Sequence, residues 1–121
     1  MSYVVKETKA FPRPAAELLA LVGAVVAELG GQPPKKPAAP GELRAEFNKS
    51  VGGTAFGNRV QLIARATDDP SRAGGSALAV EAYPIDPLGK PLLFGVIGEP
   101  ARLVTGALWT RLAARLAAVA R

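Results

Sequence analysis

Residues 59–83 read RVQLIARATDDPSRAGGSALAVEAY. Val60, Leu62, Ala64 and Ala66 alternate with Arg59, Gln61, Ile63 and Arg65. Leu78, Val80 and Ala82 alternate with Ala79, Glu81 and Tyr83. Between the two runs, Asp68–Gly75 (DDPSRAGG) has a strong turn composition. A period of two with one apolar and one polar face marks an antiparallel sheet with one side in water. N-terminal to this stretch, Leu43, Ala45 and Phe47 alternate with Arg44, Glu46 and Asn48, and Val51–Gly57 (VGGTAFG) supplies a second hairpin join.

Helices are predicted on either side of these strands. Ser2–Lys9 reads as a first strand, and Phe11–Pro14 (FPRP) turns the chain. Pro14 suits the first helical position, and Glu17 suits the positive end of a helix dipole. Leu18, Leu19, Leu21, Val22, Val25, Val26 and Leu29 fall on one side at about 100° per residue. Gly30-Gly31 stops that helix, over roughly Pro14–Leu29. Gln32–Gly41 (QPPKKPAAPG) is a proline-rich linker. Pro84–Pro91 (PIDPLGKP) is expected to break the third strand of the 43–83 region. Leu92–Ile97 (LLFGVI) is either an edge strand or a buried lead into the second helix, roughly Pro100–Ala120. Val104, Leu108, Leu112 and Val119 form the stripe of that helix, with Thr105, Trp109 and Leu116 on its flank.

The order is β-α-β-β-β-(β)-α. It implies one two-layer α+β domain over residues 1–121: an antiparallel sheet of 4–5 strands with both helices on one face. The core-facing strand positions Ala45, Ala64, Ala66 and Ala82 are small. They permit close helix approach or leave room for a ligand.

Composition narrows the chemistry. The chain has no cysteine and no histidine, which removes disulfides, thiolate ligands, the commonest general base and the commonest metal ligand. A metal site would be all-oxygen, drawn from ten carboxylates. The net charge of +5 permits weak attraction to anionic partners. Charges in MSYVVKETKA stand where a signal peptide needs apolar residues, and Leu18–Leu29 is too short for a span of about 20 residues. A cytoplasmic location without membrane insertion is expected. The Ala/Gly/Pro/Arg-rich usage fits a GC-rich bacterial genome.

Charge also distinguishes the helices. The first carries only Glu17 and Glu28, and the second only Arg102, Arg111 and Arg115. Their backs are small: Ala20, Gly23, Ala24 and Ala27 on the first, and Gly106, Thr110, Ala113 and Ala117 on the second. Helices facing water usually carry Lys and Glu there. Two readings stay open, a helix-layer interface and plain alanine enrichment, alanine being the best helix former.

Other candidate sites follow from residue type. Phe47, Ala64, Ala66, Phe94 and Trp109 are candidates to line a pocket for a small apolar ligand between sheet and C-terminal helix. Lys35, Lys36, Arg111 and Arg115 are candidate phosphate contacts, but stacking aromatics are scarce and nucleic acid is not the expected partner. Val51–Arg59 (VGGTAFGNR) resembles a phosphate loop in its glycines, yet a strand rather than a helix follows it. Asp68, Asp69 and Asp86 read as turn formers before prolines, and Glu46 and Glu81 as cross-strand ion-pair partners.

The Phe11–Glu17 entry (FPRPAAE), the opening strand and the long C-terminal helix Pro100–Arg121 resemble the START-like helix-grip ligand-binding family. The strand–helix–strands–helix order also resembles a TATA-binding-protein-like half-domain. The first resemblance implies an antiparallel sheet gripping a helix and a ligand, and no functional residue carries over from either. The expected function is a non-catalytic binding or assembly module without cofactor, a homo-oligomer through its helix layer. The alternatives are a carrier or sensor of a small apolar ligand and weak nucleic-acid binding.

Overall fold

The computed structural model describes residues 3–32, 39–92, 96 and 98–119. The order is β1 (Val5–Phe11), α1 (Ala15–Glu28), β2 (Glu42–Val51), β3 (Thr54–Asp68), β4 (Ser76–Ile85) and α2 (Pro100–Val119). The strands form one antiparallel sheet in the order β1-β4-β3-β2, so β1 and β2 are its edges. This is the α+β arrangement that the alternation implies. The candidate fifth strand, Leu92–Ile97, falls largely on 93–95 and 97, which lie outside the described residues.

One face of the sheet packs against both helices. Val60, Leu62 and Ala64 of β3, Leu78, Val80 and Ala82 of β4, and Ala45 and Phe47 of β2 are buried there. Leu18, Val22 and Val25 of α1 and Val104, Leu108 and Leu112 of α2 close the core, all with no exposed surface. The side chain of Val119, assigned to the α2 stripe, lies outside the described residues.

Local chemistry sets the boundaries. Pro14 is the N-cap of α1 and not its first helical residue, because its ψ of 148° is extended. The carboxylate of Asp68, at the far end of β3, accepts the Ala15 N–H at 2.8 Å and so performs the capping that Pro14 cannot. At the other end of α1, Gly30 N–H bonds Ala27 and Gly31 N–H bonds Val26, with φ of +92° at Gly30. These two bonds make a Schellman stop, which favours glycine at the left-handed position.

The joins differ in two places from expectation. The β2–β3 turn is only Gly52-Gly53, with φ of 54° and 88°, the signature of a type I′ hairpin. Val51, Thr54 and Ala55 therefore belong to the ladder, and residues 56–58 form a bulge opposite Lys49 within the strand pair. β4 runs through Pro84 to Ile85 and does not stop before the proline. The N–H and C=O of one strand residue share a side, and the Pro84 carbonyl accepts Leu92 N–H on the side where β1 has ended. The missing proline donor thus faces no ladder partner.

The proline-rich linker is tied down at both ends. Gln32 exchanges two backbone hydrogen bonds with Glu46 on the outer edge of β2, and the Gly41 carbonyl accepts Ala66 N–H. Residues 33–38 of the linker lie outside the described residues.

Candidate functional site

The face of the sheet away from the helices is an ion-pair lattice. Glu42 binds Arg44 at 2.5 Å and Arg65 at 2.8 Å. Glu46 pairs with Arg59 at 3.5 Å and Glu81 with Lys6 at 3.3 Å. The Arg44 guanidinium, then Arg65, holds the Glu42 carboxyl below the usual carboxylate range despite opposing burial. Burial, reinforced by Glu81, raises the Tyr83 phenol above its ordinary 10.0. Each of these carboxylates is occupied by a cation, and the phenol stays protonated at neutral pH. A shallow hollow of about 700 Å³ lies among Val4, Lys6, Glu81, Tyr83 and Pro91. Glu46 and Glu81 make the cross-strand pairs expected of them.

This face is less wet than its alternation implies. Gln61 is 8 % exposed and Ile63 only 4 %. Gln61 stands between Glu46 and Tyr83, and Ile63 between Arg44 and Glu81. Both sit in a central strand, where long neighbours on each side cover them with their stems.

The aspartates serve backbone geometry. Asp69 accepts the N–H and hydroxyl of Ser71, and Asp86 accepts the N–H groups of Leu88 and Lys90, each within 3 Å. Among the described residues no three His, Cys, Asp or Glu gather as metal ligands.

The proposed pocket residues are not brought around one space. Phe47 and Ala64 are fully buried in the core. Trp109 sits at the opposite edge of the sheet from Phe47, over β1. There its ring stacks on Phe11 at 6.3 Å, its Nε1–H donates to Glu7 at 3.0 Å, and Lys9 Nζ lies 4.5 Å from its centre. Ala66 lines a different space, an open groove of about 600 Å³ between α1 and the β2 edge, with Leu19, Gly23 and Leu43. Phe94 lies outside the described residues. No periodic signal in the sequence marks that groove, because it depends on how α1 sits against the β2 edge.

The helix backs divide. Gly23 and Ala24 are half-buried, and a Cβ on Gly23 would stand 3.2 Å from Leu43, so this glycine serves packing within the chain. Ala20 and Ala27 of α1 are exposed, as are Gly106, Thr110, Ala113 and Ala117 of α2. Leu103, in the first turn of α2 and outside its buried stripe, is 42 % exposed. The opposite charges of the helices meet within the chain, where Arg115 Nη2 lies 2.5 Å from Glu28.

Of the candidate phosphate contacts, Arg115 is therefore committed to Glu28. Arg111 is exposed and has no ion-pair partner among the described residues, and Lys35 and Lys36 lie outside them. The other described cations without an ion-pair partner are Lys49, Arg72 and Lys90, and Lys9, whose charge lies over Trp109. Arg72 is in the β3–β4 turn, while Lys49 and Lys90 lie toward the opposite end of the sheet. These charges form no single stripe along which a phosphate backbone would run.

No family model, curated protein or solved structure matches the chain. Among the described residues no helix is long and apolar enough to cross a membrane.

Proposed function

We propose that this chain is a non-catalytic assembly module that self-associates through its helix layer. The observation that carries the reading is the outer stripe of α2. Leu103, Gly106, Thr110, Ala113 and Ala117 are exposed or largely so, and none is charged. Pairing with α1 engages Arg115, and Leu103, Gly106 and Thr110 border a hollow of about 290 Å³ with Leu29 of α1 and the β2–β3 turn. Ala113 and Ala117, exposed and outside that hollow, are thus surface left over after intramolecular packing. Small residues let a second helix approach closely, and the absence of charge removes the desolvation cost of covering it.

Sedimentation of the intact chain at tens of micromolar tests the reading. A dimer or larger species that Ala113→Glu dissociates is expected, and a clean monomer contradicts it. Ala113 is exposed in one protomer, so the substitution leaves the fold intact.

A second reading, a carrier of a small apolar molecule, is favoured by the groove beside α1. Its volume of about 600 Å³ suits a small ligand, and Leu19, Leu43 and Ala66 give it an apolar lining. Saturable binding of a small aliphatic or aromatic probe, lost in Leu43→Glu, supports it. Binding unaffected by that change opposes it.

A further inference from the structure

We infer that the contact between copies is made by the β1 edge, in an antiparallel strand pair centred on Thr8 of both chains. This inference rests on the self-association proposed above and specifies its geometry.

The backbone says which groups of β1 are free. The Pro84 carbonyl points toward the β1 side, so the N–H and C=O groups of Ala82, Val80 and Leu78 also point there. Their partners Val5, Glu7 and Lys9 are therefore the residues bonded to β4. Lys6, Thr8 and Ala10 direct their backbone groups outward. Among the described residues nothing bonds to these groups. The opposite edge differs, because Gln32 already pairs with Glu46 of β2. Among the described residues, β2 is thus bonded along its outer edge at Glu42 and Glu46, while the outward groups of Lys6, Thr8 and Ala10 meet no partner.

The side chains select a register. Two outward-facing residues must meet for the backbone bonds to form, so Thr8 can oppose Thr8, Lys6 or Ala10 of a second copy. Centring on Thr8 puts Glu7 opposite Lys9, Val5 opposite Phe11, and Lys6 opposite Ala10, each occurring twice about the two-fold axis. Opposite charges, an aromatic with a β-branched residue, and a threonine pair are all favoured cross-strand neighbours. A shift of two residues one way opposes Glu7 to Glu7, and a shift the other way opposes Lys9 to Lys9. Only the Thr8-centred register is free of like charges at the centre.

Of the outer α2 residues, those nearest Trp109 face this axis. A two-fold normal to the sheet keeps both helix layers on the same side and brings the β1 flanks of the α2 helices toward each other. Trp109 marks that flank by its contacts with Glu7, Lys9 and Phe11. Ala113 and Gly106 lie roughly 40° and 60° around α2 from Trp109, toward the outside. Both are small and exposed.

The chain has no cysteine, so a single introduced thiol reads the contact. In the intact protein, Thr8→Cys is expected to oxidise to a covalent dimer, while Asn48→Cys on the capped β2 edge stays a monomer under the same conditions. Thr8→Pro removes an outward N–H and no bond to β4, and is expected to raise the dimer dissociation constant at least tenfold. A dimer in solution that is untouched by Thr8→Pro, with Thr8→Cys oxidising no faster than Asn48→Cys, overturns the strand pairing and leaves helix-layer association standing. A monomer at every concentration overturns both.

Discussion

Glu28, the last residue of α1, accepts two guanidinium N–H groups from Arg115 of α2, at 2.5 and 3.3 Å. The opposite charges of the helices are thereby matched within one chain. The hydrogen bonds and charge of Arg115 hold the Glu28 carboxyl below its ordinary value of 4.5, and Arg44 and Arg65 do the same for Glu42.

Acid should therefore remove stability in a defined window. A carboxyl with a lowered folded pKa contributes stability that is fully present above its unfolded value and lost as pH falls through the folded one. The thermal midpoint is expected to hold from neutral pH to near 5, then fall below 4.5. In Glu42→Gln the midpoint at neutral pH should drop and the acid slope should flatten. Calorimetry across that range checks both, and an unchanged slope contradicts the assignment.

Trp109 ties the edge strand to α2. Trp109→Phe keeps a ring against Phe11 but loses the bond to Glu7, and should cost about 1 kcal/mol. That corresponds to a fall in melting temperature of about 4 °C for a domain of this size. Trp109 is also the only tryptophan, so its fluorescence reports the docking of β1 on α2 in every other variant.

The type I′ turn needs positive φ at both central residues. Gly53→Ala adds a Cβ that meets no atom within 4 Å, so its cost is conformational and should be about 1 kcal/mol. Gly52→Ala should cost more, because its Cβ also approaches Leu29 Cδ2 at 3.1 Å. Urea unfolding of the two variants checks the order.

Phe47 has no exposed surface and is the largest of the fully buried side chains. Phe47→Ala should destabilise by about 3–5 kcal/mol, enough to leave a small domain largely unfolded at physiological temperature. Denaturant unfolding at two temperatures checks it.

The sheet was legible in the sequence because β2, β3 and β4 each bury one face and alternate with a period of two. Both helices were legible from their stripes, and the stop at Gly30-Gly31 from its glycines. Pro84 misled because a proline looks like a strand breaker wherever its missing donor points, and that direction is set by where β1 ends. Alternation alone places Gln61 and Ile63 in water, whereas their burial on the polar face depends on neighbours contributed by other strands. The sequence makes Trp109 a candidate for an interior pocket, but its contacts with Glu7, Lys9 and Phe11 are fixed by which strand lies at the sheet edge. The order β1-β4-β3-β2, which makes β1 an edge, is not encoded in any local pattern.

Sedimentation equilibrium of the intact chain decides whether it self-associates. A species of twice the 12.5 kDa chain mass is expected at tens of micromolar, reverting to 12.5 kDa in Ala113→Glu. A 12.5 kDa species at every concentration, with the unaltered chain and the variant indistinguishable, would contradict it.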